Sequence, residues 1–363
     1  MIPATIQDVT DEWLGDVLAA PVIGHSNFQI GQGVGLMGDI FRVSVEYSAA
    51  AARRIDKLPA SVVVKLPSSF EDNRQRGVEL GMFEAEVRFY NELAPSETLG
   101  LPHIYHAAID SGTAQFVIVM EDLSALSMVE QSAGMSGAQA LSAVTVLASL
   151  HARWWDQVQA PQFQWIPTMV GPRIEFVDQF LTSVFPVFAD HFGQRLPPGG
   201  LDIYQRFLGN YAKINAPIAL RSPWTLAHQD FRVENLLFGP PESNQVVVID
   251  WQGIGRGPGV YDLGYVLGGS MEPQERRQHE LALVRAYHDQ LERSGVQGYS
   301  FEALWEDYAH SHLMGGLAIG ILTGGAMDLS NERGTELVAT MASRHVQAAL
   351  DHDGFERLRA ILG

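Results

Sequence analysis

The stretch His228-Gln229-Asp230-Phe231-Arg232-Val233-Glu234-Asn235, followed by Val246-Val247-Val248-Ile249-Asp250, decides how this chain is read. Asn235 lies five residues after Asp230, so one loop can present both side chains. A carboxylate in such a loop can accept, or orient, the proton of an attacking hydroxyl. The amide beside it offers a neutral oxygen to a metal ion. The β-branched run before Asp250 reads as a buried strand, and Asp250 closes it 20 residues after Asp230. A carboxylate at the mouth of a buried strand suits Mg2+, which takes a few carboxylates together with phosphate oxygens. Each piece alone also reads as a capped turn, so the weight falls on what accompanies it.

Two partners stand earlier in the chain. Ser61-Val62-Val63-Val64-Lys65-Leu66 is a strand closed by Pro67, and its lysine is costly to bury unpaired. Either this is an edge strand with its ammonium in water, or the ammonium faces phosphate and is held by a carboxylate. Residues 77–94 read as one helix. At about 100° per residue, Met82, Phe83, Val87, Phe89, Tyr90, Leu93 and Ala94 share an apolar face, and Glu86 falls near its centre. Glu84 and Arg88 fall on the polar face as an i,i+4 pair. A buried Lys65–Glu86 pair explains both oddities together. Upstream, Gly33-Val34-Gly35-Leu36-Met37-Gly38 has the G-x-G-x-x-G spacing. The alternating strand Phe41–Tyr47 follows it rather than a helix, against a dinucleotide-binding turn. A glycine loop between strands suits backbone amides that cover nucleotide phosphates, and equally a plain glycine-rich hairpin.

The 363 residues include no Cys, 42 acidic and 24 basic side chains, for a formal charge of −18. The missing Cys excludes disulfides, Cys-ligated zinc, iron–sulfur clusters and a cysteine nucleophile. The charge repels phosphate polymers and anionic membranes, so neither nucleic acid nor membrane is expected as a partner. Only three basic residues are Lys: Lys57, Lys65 and Lys213. There is no basic, apolar leader at the start, and the apolar, glycine-rich Leu313–Met327 reads as a buried helix. A soluble, cytoplasmic protein is the expectation.

Further strands are expected at Ile104–Ile109 and Gln115–Met120, after a short helix capped by Thr10. Beyond Leu123 the pattern turns helical: 137–155, 173–192, 202–216, 273–295, 301–327 and 331–350, with a strand-rich patch at 225–248. This divides the chain into 1–122 and 123–363. Neither G-x-S-x-G nor H-E-x-x-H occurs. His151, near Trp154 and Trp155, reads as a hydrogen-bonded core histidine.

On these residues the chain resembles the aminoglycoside phosphotransferase/choline kinase superfamily. Ile249-Asp250-Trp251-Gln252, Tyr261-Asp262-Leu263-Gly264-Tyr265, Leu150–Trp155 and Glu86–Tyr90 are similar to its ecdysteroid-kinase-like branch. The resemblance implies an α+β, bilobal protein-kinase-like fold, with a small antiparallel β-rich N-lobe and a larger, mostly helical C-lobe. It implies ATP and Mg2+ as cofactors and a small-molecule hydroxyl acceptor; the apolar residues named below fit a lipophilic alcohol at least as well as a polycationic sugar. By the same resemblance Asp230 is the catalytic base, and Asn235 and Asp250 are catalytic and hold the metal. Lys65, paired with Glu86, holds phosphates. The loop with Gly33 and Gly35, and the backbone of Met120 and Asp122, bind the nucleotide, while Asp262 braces the catalytic loop. Gln229 stands where the family usually has Gly, and Arg232 where many members have His. Trp251-Gln252 replaces the Phe-Gly of protein kinases, against a flipping activation segment. Phe163, Trp165, Phe176, Phe180, Phe185, Phe188, Met314 and Ile319 are the apolar stock for an acceptor pocket. An aminoglycoside- or choline-type kinase and a non-catalytic nucleotide-binding module are the alternatives.

Overall fold

Five strands, β1 (Val22–Ile30), β2 (Gly38–Tyr47), β3 (Ser61–Pro67), β4 (Ile104–Asp110) and β5 (Gln115–Glu121), pair antiparallel in the order β1-β2-β3-β5-β4. They belong to a computed structural model that describes residues 2–31, 38–52, 58–94, 100–221, 223–327 and 329–363. The chain packs as two units. The first holds residues 1–127 and 247–253, the second 128–246 and 254–363. Asp250 therefore belongs to the N-terminal unit, which a single cut between 122 and 123 does not foresee.

Strand alternation sorts the β3 side chains. Val62, Val64 and Leu66 join Val43, Val117 and Val119 on one face, packed with Leu14 of helix α1 (Asp11–Val17). Thr10 caps that helix, its hydroxyl accepting the Trp13 N–H at 3.2 Å. Lys65 points to the other face, in register with Ile118. That face is covered from Phe116 by Phe83, with ring centroids 4.6 Å apart.

After the short α2 (Ala49–Ala52), the helix expected over 77–94 is divided. It forms α3 (Glu71–Glu79), α4 (Met82–Arg88) and a π-helical turn over Phe89–Leu93. Gly81, at φ +67°, makes the break. Strand β1 was not expected: Gly24, His25, Ser26 and Asn27 interrupt its apolar pattern, as an edge strand permits.

Beyond β6 (Ser127–Met128), the second unit is largely helical: α5 (Gly137–Arg153), α6 (Pro172–Phe192), α7 (Gly200–Phe207) and α8 (Tyr211–Ala219) come first. Then come the short strands β7 (Thr225–Ala227), β8 (Leu236–Phe238), β9 (Val246–Val248), on which the chain passes into the first unit, and β10 (Gly255–Gly257). Helices α9 (Val260–Ser270), α10 (Pro273–Arg293), α11 (Phe301–Ser311), α12 (Gly315–Ala326), α13 (Glu332–Asp351) and α14 (Gly354–Leu362) complete it. Two helices expected as single rods are each split. Gly209, at φ +70°, separates α7 from α8, and the weak helix formers Gly315 and Gly316 begin α12 anew. The core gathers Leu181, Phe188, Phe192, Tyr204, Phe207 and Ile321.

Candidate active site

In the first unit, Lys65 Nζ lies 2.7 Å from Glu86 Oε2 and 2.7 Å from Asp250 Oδ1. The pairing follows from the two periodicities. Lys65 leaves β3 on the face that α4 covers, and Glu86 sits at the centre of the inward face of α4, 1% exposed. Glu84 lies outside and pairs with Arg88 at 3.6 Å. Burial alone works against the Lys65 ammonium, but Asp250 and Glu86 outweigh it and hold its pKa above the ordinary lysine value. Burial pushes Glu86 up to about 7. Lys65 opposes that rise and Asp250 adds to it.

Asp250 is brought to Lys65 by its neighbours. The Trp251 ring stacks on Phe89 at 4.0 Å and 8°, and the Val248 N–H donates to the Gly100 carbonyl at 2.8 Å. Asp250 itself is left-handed, at φ +67°, a conformation that costs a residue other than glycine about 1 kcal/mol. Its other oxygen, Oδ2, accepts from Gln252 Nε2 at 3.2 Å.

Met120 is buried in β5, with Val63 and Ile104 as strand neighbours. Asp122 lies just past the strand and accepts from Ser61 Oγ at 2.5 Å and from the Ser124 N–H at 3.0 Å. Burial would raise its pKa, but these donors and Arg42 hold it below the ordinary aspartate value. Gly33 and Gly35 lie outside the described residues.

In the second unit, β7 pairs with β10 and ends at His228. The loop that follows is hung on Asp262, fully buried in the first turn of α9. Asp262 accepts the His228 N–H at 2.6 Å and the Gln229 N–H at 2.9 Å. His151 Nε2 lies 3.2 Å from the same carboxylate, and its Nδ1 is 2.7 Å from the Tyr287 hydroxyl. His151 is thus a hydrogen-bonded core histidine that holds the brace. Gln229 is left-handed, at φ +64°. The glycine usual at this position in the family would adopt that backbone without strain. The Gln229 side chain lies over Gly255, where a Cβ would come within 1.7 Å of its Nε2.

Asp230 and Asn235 are in direct contact. Asn235 Nδ2 donates at 2.9 Å to both the carbonyl and Oδ2 of Asp230. With its nitrogen turned to Asp230, the amide keeps Oδ1 as the oxygen for a metal. An amide oxygen of this kind in the second unit, and the partly exposed carboxylate of Asp250 in the first, are each of the neutral or anionic type that Mg2+ takes, so the donor chemistry fits. Sequence reasoning missed Tyr265, whose hydroxyl is 3.1 Å from Asp230 Oδ1. It also missed the link of Asp250 to Lys65. The Tyr265 contact needed the pitch of α9, which carries Tyr265 three residues after Asp262 on the same side. Arg232 pairs with Glu234, and its Nε is 3.5 Å from Asp230 Oδ1.

The expected pocket residues divide. Phe163, Phe188 and Met314 are buried in the core, where their side chains pack against protein. Phe176 and Phe180 stand out from α6, 64% and 38% exposed.

Sheet, helices and site residues together define a kinase-like phosphotransferase fold. Residues 32–296 match the model of the ecdysteroid kinase-like family, and the chain belongs to that family. Among solved structures it is similar to choline kinase from Cryptosporidium parvum Iowa II, with a TM-score of 0.54 and 11% identity over 92% of this chain and 91% of that one. The GDP complex of wild-type aminoglycoside 2'-phosphotransferase-IIIa gives a TM-score of 0.51 and 14% identity, covering 88% of this chain and 92% of that one. A Ralstonia eutropha JMP134 protein named for the aminoglycoside phosphotransferases gives 0.54 and 16% over 94% and 97%. No curated protein matches the sequence. Among the described residues no helix is long and apolar enough to cross a membrane.

Proposed function

We propose that this protein is an ATP- and Mg2+-dependent kinase that transfers the γ-phosphoryl group to a hydroxyl of a small molecule. The observation that carries the reading is the Lys65 ammonium, buried in a sheet and held at 2.7 Å by two carboxylates. Burying that charge is costly for stability alone and makes sense as a fixed cation for a triphosphate. Lys65 binds phosphate oxygens, and Glu86 fixes its direction. Asp250 and Asn235 would hold Mg2+, which, when bound, neutralises charge on the transferring phosphates. The backbone at Met120 and Asp122, and the Gly33–Gly35 loop, would take the nucleotide.

Asp230 orients the acceptor hydroxyl and takes its proton as the oxygen–phosphorus bond forms. The bond to the leaving ADP breaks, and a phosphate monoester results. Positioning and charge stabilisation supply most of the acceleration in such transfers. Phe176 and Phe180 on α6 support a lipophilic alcohol as acceptor. The test is ADP release from MgATP across a panel of alcohols, amino alcohols and aminoglycosides. Acceptor-dependent release that Asp230→Ala abolishes supports the reading. Tight ATP binding without turnover on any acceptor overturns it in favour of a non-catalytic nucleotide-binding module.

A further inference from the structure

Asp230 is held from two sides by different elements. Asn235, in its own loop, donates to Oδ2 at 2.9 Å, and Tyr265, on α9, lies 3.1 Å from Oδ1. Tyr265 is buried, packed near Tyr261 one turn away and against His345 at a ring separation of 5.1 Å. Burial, first, and the nearby Asp230 charge hold its phenol well above the ordinary tyrosine pKa, so it remains a donor at neutral pH. Helix α9 thus grips the loop twice: through Asp262 at the backbone of His228 and Gln229, and through Tyr265 at the side chain of Asp230.

The competitor on the same oxygen is Arg232. Its Nε is 3.5 Å from Oδ1, and it already pairs with Glu234. Guanidinium groups favour bidentate pairing with carboxylates. With nothing on Oδ1, the Asp230 carboxylate can turn towards Arg232 and away from an acceptor hydroxyl.

We propose that Tyr265 is a positioning residue for phosphoryl transfer, its hydroxyl fixing Asp230 Oδ1 against capture by Arg232. The proposal rests on the kinase reading above. Tyr265→Phe keeps the ring and removes only the hydroxyl. It lowers kcat roughly tenfold or more, the scale of one hydrogen bond to a charged group, while KM for MgATP and for the best acceptor stays within about twofold. The thermal midpoint barely moves. Tyr261→Phe is the control on the same helix, because its hydroxyl is bonded to Tyr211 rather than to Asp230; its kcat stays at the wild-type value. The assay is steady-state ADP release with MgATP and the best acceptor of the panel, run beside Asp230→Asn. If wild type is active, Asp230→Asn silent and Tyr265→Phe equal to wild type, the positioning role is wrong and the kinase reading stands. An equal kcat loss in Tyr261→Phe also overturns the role, as a general disturbance of α9. If wild type releases no ADP with any acceptor, the kinase reading falls and the proposal with it.

Discussion

Replacing Lys65 by Met removes the cation but keeps most of the side-chain volume, and the cost should depend on pH in a way the structure specifies. Glu86 is 1% exposed, and its Oε1 has no hydrogen-bond partner among the described residues. Lys65 is therefore the group that stabilises its charge. Burial has already pushed Glu86 up to about 7 in the native protein, from a usual value of 4.5. Without Lys65 it rises further, since only burial and Asp250 act on it. A carboxyl raised on folding binds a proton that the unfolded chain does not, so stability falls as pH climbs from 4.5 to the folded value. Where wild-type Glu86 is ionised against Lys65 the variant must still hold its proton, so the gap between the two proteins widens as pH rises, by up to about 1.4 kcal/mol per pH unit. Urea unfolding of both proteins from pH 5.5 to 8.5 measures it. A difference independent of pH would refute the buried pair.

Three more outcomes follow from the second unit. Asp262→Ala strips two backbone N–H groups and His151 of their acceptor in a fully buried site, and should cost about 3 kcal/mol in urea unfolding; a loss below about 1 kcal/mol would deny the brace. Gly255→Ala should destabilise by about 1 kcal/mol, because the new Cβ displaces the end of the Gln229 side chain. Gln229→Gly should suppress that loss in a double-mutant cycle, and additive effects would show that the two do not meet. Burial, chiefly, pushes His345 down to about 3, and His312 also lies well below its ordinary value. A lowered histidine keeps its full contribution above about 6.5 and loses it as pH falls towards 3. Stability should therefore drop between pH 6.5 and 4 by up to about 1.4 kcal/mol per pH unit for each ring, and His345→Asn should flatten the slope in thermal unfolding.

What could be read before folding was whatever depends on local period. Glu86 and Lys65 were each legible because one stood on an apolar helix face and the other in a β-branched strand, so both pointed inward. Thr10, the sheet strands β2 to β5 and the loop from His228 to Asn235 were legible for the same kind of reason. Strand β1 was not, because an edge strand with polar side chains carries little alternation. The breaks at Gly81, Gly209 and Gly315 were hidden because helical periodicity continues in register on both sides. Tyr265 on Asp230 and Asp250 on Lys65 join residues 35 and 185 positions apart. Only the packing of α9 and of Trp251 on Phe89 creates those contacts. Gln229 was half visible: a glutamine at a glycine position marks an unusual backbone, and the structure gives its sign.

The most direct test of the account is ADP release by the wild-type protein and by Asp230→Asn, with MgATP and the full acceptor panel. The account predicts acceptor-dependent turnover in the wild type and a loss of about 100-fold or more in the variant, the scale of a removed general base. Nucleotide affinity should be unchanged. Equal turnover in the two proteins, or ATP binding with no turnover on any acceptor, would contradict it.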